Sequence, residues 1–406
     1  MRLLVWGYTA LLVYGSLYPF SGWTLPPAPL FSFLSTWPHT LEKTDVILNV
    51  LIYAPLGLLI TYRLTRSVHF GSALLAATAT GTFLSFVIEC IQQLIPGRVA
   101  SLSDLAMNMT GALLGGTVAA FLTRGTISGA KVAALRGRWF HTGTLPNIGL
   151  ITLALWTLAQ TSPLVPSLDV SHLRHGVALF LHALQSPQRL SFYETFSYAF
   201  YIAGLGLLAI TIGQRGKPVL LLFSGYVICV LISKMLIESR QLSPETLAGA
   251  VIAFALLSLM RYISQKAMIN ILGIMLITAG LVLYELAPVR DFPTYAFNWA
   301  PFGGQMISLN GLQSILDIFW PLFAIAFFTR TVTPLHWQYR NAFSGGVIVL
   351  ITVFLLEWAQ QYLPGRHGDI TQVMLGVLGW VIPWCVHAEY HAQDRVAFAP
   401  TDGSGR

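Results

Sequence analysis

The chain has 406 residues, of which 55% are hydrophobic and only 10% are charged. Soluble domains carry roughly a quarter charged residues, so this composition excludes a soluble protein and favours an all-α membrane protein. The net charge of +7 is the kind expected from basic residues in cytoplasmic loops, and no nucleic-acid partner is predicted.

Apolar runs of about 20 residues, the length that crosses a bilayer, recur along the whole sequence. They predict a polytopic helix bundle of about twelve transmembrane helices. The predicted spans are 3–20, 46–63, 71–95, 104–122, 147–165, 195–212, 218–238, 244–262, 268–288, 312–329, 343–363 and 369–388. The first run ends in Tyr18-Pro19-Phe20 rather than in small residues, so we expect a retained span and not a signal peptide.

The basic residues predict the orientation of these spans. If both termini are cytoplasmic, the inner loops and tails hold fifteen Lys and Arg residues and the outer loops hold seven, with Lys234 inside a span. Lys and Arg accumulate in cytoplasmic loops. The sequence therefore predicts a multi-pass membrane protein with cytoplasmic N- and C-termini.

A duplicated motif divides the chain into repeating units. Glu89–Arg98 and Glu357–Arg366 share the pattern E-x-x-Q-Q-x-x-P-G-R, and a degenerate copy at Glu238 and Gln241 lacks the Pro-Gly-Arg turn. These copies predict three units of four spans each, at 1–124, 147–264 and 268–390. An even number of spans in each unit gives all three the same orientation. The basic segment 123–146 is predicted to be a cytoplasmic linker.

The motifs resemble the VanZ-like family of bacterial membrane proteins. The family pattern is an N-x5-P-L-G span, then E-x-x-Q-x4-P-x-R, then D-x3-N-x2-G. The first unit matches it at Asn49, Pro55, Leu56, Gly57, Glu89, Gln92, Pro96, Arg98, Asp104, Asn108 and Gly111. The third unit matches it at Glu357, Gln360, Pro364, Arg366, Asp369 and Gly376. Asp369 is taken as the counterpart of Asp104, because each precedes a glycine by seven positions.

The resemblance implies a role in the bacterial cell envelope, at the cytoplasmic membrane. The family's name comes from a protein that gives low-level resistance to teicoplanin, a lipoglycopeptide antibiotic. Longer members resemble proteins of exopolysaccharide and exosortase systems. The resemblance implies envelope biology but no particular reaction.

Polar side chains of the motif form the candidate site. In the first unit they share one face on each of two consecutive spans, and the hairpin between the spans contributes an arginine. The duplicated motif predicts a second such cluster. The candidate ligand-binding residues are Glu89, Gln92, Gln93, Arg98, Asp104, Asn108, Glu357, Gln360, Gln361, Arg366 and Asp369.

Two interpretations of this cluster stay open. In the first it is a structural clasp, in which Arg98 neutralises Glu89 and Asp104 while the amides bond across helices. In the second it is a polar pocket, open to the outer face, that holds a headgroup, a sugar or a proton. Glu285 and Asp317 are secondary candidates for such a pocket.

No cofactor, metal ion or catalytic residue is predicted. The sequence contains no P-loop, GxSxG, HExxH or Rossmann fingerprint. His172, His175 and His182 follow helical spacing in a predicted outer segment, but a metal site would need a fourth ligand. Histidines at the membrane interface are the favoured interpretation.

The favoured hypothesis is a non-enzymatic envelope protein that binds an amphiphilic or lipid-linked molecule at outward-facing polar pockets. Its expected partners are membrane lipids and a lipid-linked glycan or lipoglycopeptide. Two other classes stay open: a transporter or flippase of an envelope glycolipid, and a membrane-embedded hydrolase or transferase. The sequence predicts no oligomeric state.

Overall fold

The computed structural model describes most of the chain. The described residues are 2–17, 23–25, 29, 31–35, 37, 43–96, 98–123, 125–162, 190–237, 240–263, 265–289, 292–302 and 311–386. Within these ranges the structure consists of thirteen α-helices and two short 3-10 turns, and the extended pairings are two isolated β-bridges. The predicted all-α class is confirmed.

The helices are numbered in chain order. They are α1 (Arg2–Leu17), α2 (Lys43–Leu64), α3 (Phe70–Gln92), α4 (Leu102–Leu122), α5 (Ile127–Trp139), α6 (Thr144–Thr161), α7 (Phe192–Ile212), α8 (Val219–Met235), α9 (Pro244–Met260), α10 (Lys266–Glu285), α11 (Gly311–Val332), α12 (Gln338–Gln360) and α13 (Ile370–Cys385). The 3-10 turns are Ser32–Ser35 and Leu335–Trp337. Each predicted span overlaps one helix, and α5 lies in the predicted linker 123–146.

Seven helices are long and apolar enough to cross a membrane, judged by length and composition. They are α2, α3, α4, α7, α10, α11 and α12. Shorter apolar stretches lie in α1, α8, α9 and α13, and α6 completes the set that overlaps the predicted spans. The chain is therefore an all-α, multi-pass membrane protein, while the count of twelve crossings stays a prediction.

Close packing of α2 against α4 builds the first of two compact units. The chain divides into Met1–Arg138 and Trp139–Arg406. A Cβ atom at Gly57 would lie 2.0 Å from the carbonyl oxygen of Ala112, and one at Gly115 would lie 1.8 Å from that of Ala54. Because no side chain fits in such a space, glycine at these positions lets the two backbones touch. α3 packs on both helices, and α1 packs on α2 and α3.

Two helices form the core of the second compact unit. α7 is buried over Tyr201–Ala209 and packs against α6, α8, α9 and α10. α11 is buried over Trp320–Phe328 and packs against α6, α10 and α13. A helix that is apolar on all sides belongs in such an interior. The predicted units 147–264 and 268–390 thus lie in one compact body, and the boundary between them stays a prediction.

The boundaries of corresponding helices recur at a constant spacing. α2 and α11 end 268 positions apart, α3 and α12 begin and end 268 positions apart, and α4 and α13 begin 268 positions apart. The same spacing separates Glu89 from Glu357 in the duplicated motif. This recurrence supports the proposed duplication of the first unit in the third.

Candidate ligand-binding site

Two buried glutamates, one near the end of α3 and one near the end of α12, each bond to the start of the next helix. Glu89 is 3% exposed and accepts a hydrogen bond from the N–H of Ser101 at 2.9 Å. Glu357 is 1% exposed and accepts one from the N–H of Asp369 at 3.0 Å. N–H groups at a helix start have no partner within the helix. The two carboxylates therefore satisfy the starts of α4 and α13.

Ser101 and Asp369 are themselves the capping residues of those helices. The Ser101 hydroxyl accepts from the N–H of Ser103 at 3.2 Å, and the Asp369 carboxylate accepts from that of Thr371 at 2.7 Å. Short polar side chains are preferred at this position, because their oxygen reaches the N–H groups of the first turn. The two residues thus hold equivalent places in the two copies.

This equivalence corrects the predicted alignment of Asp369 with Asp104. By the spacing of 268 positions, the counterpart of Asp104 is Gln372. The seven-residue interval to a glycine was an unreliable guide, because glycines stand at both Gly376 and Gly379 in α13.

The first glutamine of each motif bonds to the end of the helix that opens its unit. Gln92 donates through Nε2 to the carbonyl oxygen of Ser16 in α1 at 2.9 Å. Gln360 donates through Nε2 to the carboxylate of Glu285, the last residue of α10, at 2.7 Å. The glutamines therefore attach α3 to α1 and α12 to α10.

The arginine of the third unit caps the same helix end. Arg366 donates through Nε to the carbonyl oxygen of Ala287 at 2.8 Å and through a second nitrogen to that of Tyr284. Carbonyl groups in the last turn of a helix lack partners within it, and a cationic side chain there is favourable. Arg366 therefore stabilises the end of α10.

The degenerate second unit keeps an equivalent arginine that the motif comparison missed. Arg240 donates through Nε to the carbonyl oxygen of Ser162 at 2.6 Å and through a second nitrogen to that of Ala159 at 3.4 Å. These carbonyls lie at the end of α6, the helix that opens this unit. Arg240 follows Glu238 by only two positions, so it does not match the spacing of the pattern. Glu238 itself lies outside the described residues.

Three further motif residues are Arg98, Gln361 and Gln93. Arg98 is exposed, and its backbone N–H donates to Ile95 at 3.1 Å. Gln361 donates to the carbonyl oxygen of Trp358, one turn back in its own helix, at 3.0 Å. The structure thus does not bring Gln361 onto the carboxylate of Glu357. The side-chain nitrogen of Gln93 is buried without a partner among the described residues.

A segment that precedes α11 covers the carboxylate of Asp369. The N–H of Asn298 donates to the carbonyl oxygen of Gly368 at 2.8 Å, and the N–H of Ile370 donates to that of Asn298 at 3.0 Å. The side-chain amide of Asn298 donates to the Asp369 carboxylate at 3.1 Å. Protein groups therefore already bond to both carboxylate oxygens of Asp369.

A second polar group lies among α2, α3 and α4 in the first unit. The Asn108 amide donates to the Ser85 hydroxyl at 2.9 Å, and the Tyr53 hydroxyl lies beside Ser85. Asn108 is 5% exposed, Ser85 0% and Tyr53 2%. The Asn108 carbonyl oxygen has no hydrogen-bond partner among the described residues, and the Tyr53 hydroxyl, although close to Ser85, meets no partner there at full hydrogen-bonding geometry. A buried atom left in this state costs about 1–3 kcal/mol, so a ligand or an ordered water would gain hydrogen bonds here.

We call Tyr53, Ser85 and Asn108 the polar trio. Of these three residues, the sequence analysis identified only Asn108. Ser85 stands one turn before Glu89 on the same face of α3, and that spacing was a usable signal. On α2, Asn49 stands one turn before Tyr53 on the same face, so that spacing was a usable signal too. By the spacing of 268 positions, the third unit has Pro321, Val353 and Gly376 at the places of the trio. The third unit therefore keeps the hydrogen bonds of the glutamate and the first glutamine, which we call the clasp from here on, but it has no counterpart of the trio.

The predicted residue Asp104 lies nearer the hairpin than the trio does. Its carboxylate is partly buried and lies within hydrogen-bonding reach of Asn49 on α2. Asn49 and Asp104 open the first and last segments of the family pattern, so the fold brings the two segments together. This pair links α2 to α4 one turn from Asn108.

The secondary candidates lie in the second compact unit. Asp317 accepts a hydrogen bond from the Tyr284 hydroxyl at 2.7 Å, and Glu285 is bonded to Gln360. Tyr201 on α7 is buried, and its hydroxyl has no partner among the described residues. These residues lie in the second compact unit, whereas the trio lies in the first.

The structure brings no set of metal-ligating side chains together in the ranges it describes. No three His, Cys, Asp or Glu side chains there are placed to hold a metal ion. The histidines singled out in the sequence, His172, His175 and His182, lie outside the described residues. Lys234, the basic residue predicted inside a span, donates to the hydroxyl of Tyr198 at 2.7 Å.

The first compact unit matches a known family. The model of the family described as VanZ/LLP1 matches residues 5–123, which include α2, α3, α4 and the polar trio. No curated protein and no solved structure matches the chain. The matched range ends before the predicted third unit, so the duplication stays a proposal. Residues 5–123 are therefore similar to the VanZ-like family of membrane proteins.

Proposed function

We propose that this protein binds the polar headgroup of an amphiphilic or lipid-linked envelope molecule through Tyr53, Ser85 and Asn108. The family match and the apolar helices support the broader class, an envelope-associated membrane protein. The observation that carries the proposal is the pair of buried, unpartnered polar atoms on Tyr53 and Asn108. Neither atom is needed for the contacts that hold the hairpin to its neighbouring helices.

The chemistry of the trio suits a hydroxyl-bearing headgroup. The Asn108 carbonyl oxygen lacks a donor, and the Tyr53 hydroxyl is free to donate or accept. A sugar hydroxyl donates one hydrogen bond and accepts others, so one such group would satisfy both residues. Glu89 lies one turn nearer the hairpin on the same face as Ser85.

The clasp residues take a supporting role in this proposal. Glu89 and Gln92 already bond to Ser101 and Ser16, so a ligand would have to displace protein groups to use them fully. They position α3 against α4 and α1, and the trio lies among α2, α3 and α4. The apolar part of the ligand would lie along the outward face of α4, where Leu113 and Leu114 are exposed.

The two envelope settings implied by the family differ in the ligand they offer. Teicoplanin and a lipid-linked glycan both carry sugar hydroxyls on an apolar chain, and both fit the same chemical description. We infer that such a headgroup, rather than its acyl or polyprenyl chain, is the part recognised. Binding without turnover is the expected activity.

The test uses the full chain purified in detergent and a photo-crosslinkable polyprenyl-linked disaccharide as the probe. We expect labelling within residues 43–122, competed by the unlabelled disaccharide lipid but not by polyprenyl phosphate. The Asn108→Leu variant should lose about tenfold in apparent affinity, because its side chain cannot accept the hydroxyl. Asn341→Leu on α12, the same chemical change outside the first unit, is the matched control.

Three outcomes would overturn the proposal. The first is equal labelling of the wild type and Asn108→Leu, and the second is competition by polyprenyl phosphate alone. The third is labelling confined to the second compact unit. Sugar-specific flux through the reconstituted protein, lost in Asn108→Leu, would assign the same residues to a transporter instead.

A further inference from the structure

We propose that α5 is an interfacial helix whose basic face binds the headgroups of anionic membrane lipids. This surface is separate from the polar trio and does not depend on the proposed function. The proposal rests on the charge of α5, on the side chains it exposes and on the way it is fixed to the end of a candidate membrane span.

The segment around α5 carries positive charge only. No Asp or Glu stands between Leu105 and Ser162, whereas Arg124, Lys131, Arg136 and Arg138 lie within fifteen residues. Arg136 and Arg138 stand in the last turn of α5, where they also complement the helix dipole. Lys131 stands in mid-helix, so the dipole does not account for it. An unbalanced basic stretch of this kind attracts an anionic surface.

The exposed face of α5 combines apolar and basic side chains. Ile127 is 78% exposed and Leu135 is 60% exposed, and Lys131 and Arg138 are exposed as well. These four residues stand on successive turns of one helix face. Apolar side chains beside basic ones fit a membrane surface, because the apolar groups enter the headgroup region while the cations meet phosphates.

A tight turn fixes α5 at the end of α4. The Thr126 hydroxyl donates to the carbonyl oxygen of Thr123 at 2.8 Å and accepts from the N–H of Gly129 at 3.0 Å. A Cβ atom at Gly129 would lie 2.0 Å from the same carbonyl oxygen. α5 therefore begins within five residues of the last residue of a candidate span and is held against it. Its basic face lies at the level where lipid headgroups begin.

α5 is short, which indicates that a contact outside the helix stabilises it. It has 13 residues, including Gly129 and Gly137. Helices of this length are marginal in water, and glycine weakens them further. Headgroups bound along the exposed face would stabilise the helix, whereas an acidic protein partner would give no reason for the exposed Ile127 and Leu135.

The test measures amide hydrogen exchange of residues 127–139 in the full chain, held in phosphatidylcholine nanodiscs with and without phosphatidylglycerol. We expect exchange to slow by about fivefold for each basic residue that binds, and the effect to weaken as salt is raised. The double variant Lys131→Gln/Arg138→Gln should lose the difference between the two membranes. Ala130→Gln/Ala134→Gln adds polar side chains to exposed positions of the same helix without changing charge, and should keep the difference.

Equal exchange in the two membranes would overturn the proposal, whether α5 is protected or not. A difference that survives in Lys131→Gln/Arg138→Gln would also overturn it, because the basic face would then not be responsible. Loss of the difference in the alanine-to-glutamine control would show that bulk, rather than charge, governs the contact, and would overturn it too.

Discussion

At the scale of single residues, Asn108 is a buried amide that uses only half of its hydrogen-bonding groups. It donates to Ser85 and leaves its carbonyl oxygen without a donor among the described residues. Buried side chains that serve only structure are generally satisfied. Proteins keep such an unfavourable arrangement where function requires it. The proposal of a ligand at Asn108 rests on this unused carbonyl oxygen.

The same reasoning predicts that Tyr53→Phe does not destabilise the protein. The change removes a hydroxyl that is buried without a partner and keeps the ring, so the free energy of unfolding should stay the same or rise by about 1 kcal/mol. Tyr226→Phe is the matched control, because the Tyr226 hydroxyl donates to the carbonyl oxygen of Leu153 at 2.7 Å. The control should lose about 1 kcal/mol.

Thermal unfolding of both variants in detergent measures the difference. If Tyr53→Phe lost as much stability as Tyr226→Phe, the Tyr53 hydroxyl would have a structural partner. The Tyr53 hydroxyl would then have no free hydrogen-bonding group to offer a ligand.

The capping role of Glu357 gives a second prediction at this scale. Glu357→Gln keeps an oxygen that can accept from the N–H of Asp369, so its stability should stay close to that of the wild type. Glu357→Leu leaves that N–H buried and unpaired, and should lower the free energy of unfolding by about 1–3 kcal/mol. The two variants are compared by thermal unfolding in the same detergent. Equal losses in both would show that charge, and not capping, is what Glu357 contributes.

At the scale of helices, the contact between α2 and α4 depends on the absence of side chains. A Cβ atom at Gly115 would lie 1.8 Å from the carbonyl oxygen of Ala54. Gly115→Ala should therefore force the helices apart and cost at least about 2 kcal/mol. Gly71 has no atom within 4 Å of the place of a Cβ atom, so Gly71→Ala should be neutral or stabilise α3 by about 0.5–1 kcal/mol.

Urea or thermal unfolding of the two glycine variants distinguishes these effects. A small loss in Gly115→Ala, no larger than the change in Gly71→Ala, would contradict the close approach of α2 and α4. The Asn49–Asp104 contact depends on the same approach, so the Gly115 variant should also weaken probe binding at the neighbouring trio.

The helices were predictable from sequence where their burial in lipid requires a long run of apolar residues. Long apolar runs located α2, α3 and α4, because each residue of a span must be compatible with lipid. α5 was predicted only as a linker, because its apolar residues are too few to mark a span. Its role depends on where the end of α4 places it, which composition does not record.

The candidate site was predictable only where its residues follow a regular spacing. Glu89 and Gln92 stand at a helical interval on α3, and Asp104 and Asn108 do so on α4, so each pair's shared face could be inferred. Tyr53 comes from a helix distant in sequence, and its missing hydrogen bond is a property of the packed interior. The partners of Arg366 are backbone carbonyls, and no sequence pattern marks a carbonyl group.

At the scale of the whole molecule, helix ends spaced 268 positions apart support an ancestral duplication. The clasp recurs in both copies, while the polar trio is present in the first and replaced by Pro321, Val353 and Gly376 in the third. This difference fits the proposal that the recurring part is structural and that the trio binds a ligand. We expect one headgroup site in the chain, located in residues 43–122.

If the chain consists of three units of four spans each, all three units have the same orientation. The hairpin that follows the third helix of each unit must then lie on the same side of the membrane. Single cysteines placed in a background without Cys90, Cys229 and Cys385 can report that side. Exposed positions in the three equivalent hairpins are Val99, Gln241 and Tyr362. Exposed positions in the preceding hairpins, expected on the cytoplasmic side, are Ser67, Gly216 and Leu335.

The most direct test of the repeated architecture is labelling of these six variants with a membrane-impermeant maleimide in intact spheroplasts. The first three cysteines should react from outside, and the other three should react only after permeabilisation. If Gln241 or Tyr362 were labelled from the side opposite to Val99, the units would not share one orientation, and the division into three four-span units would be wrong.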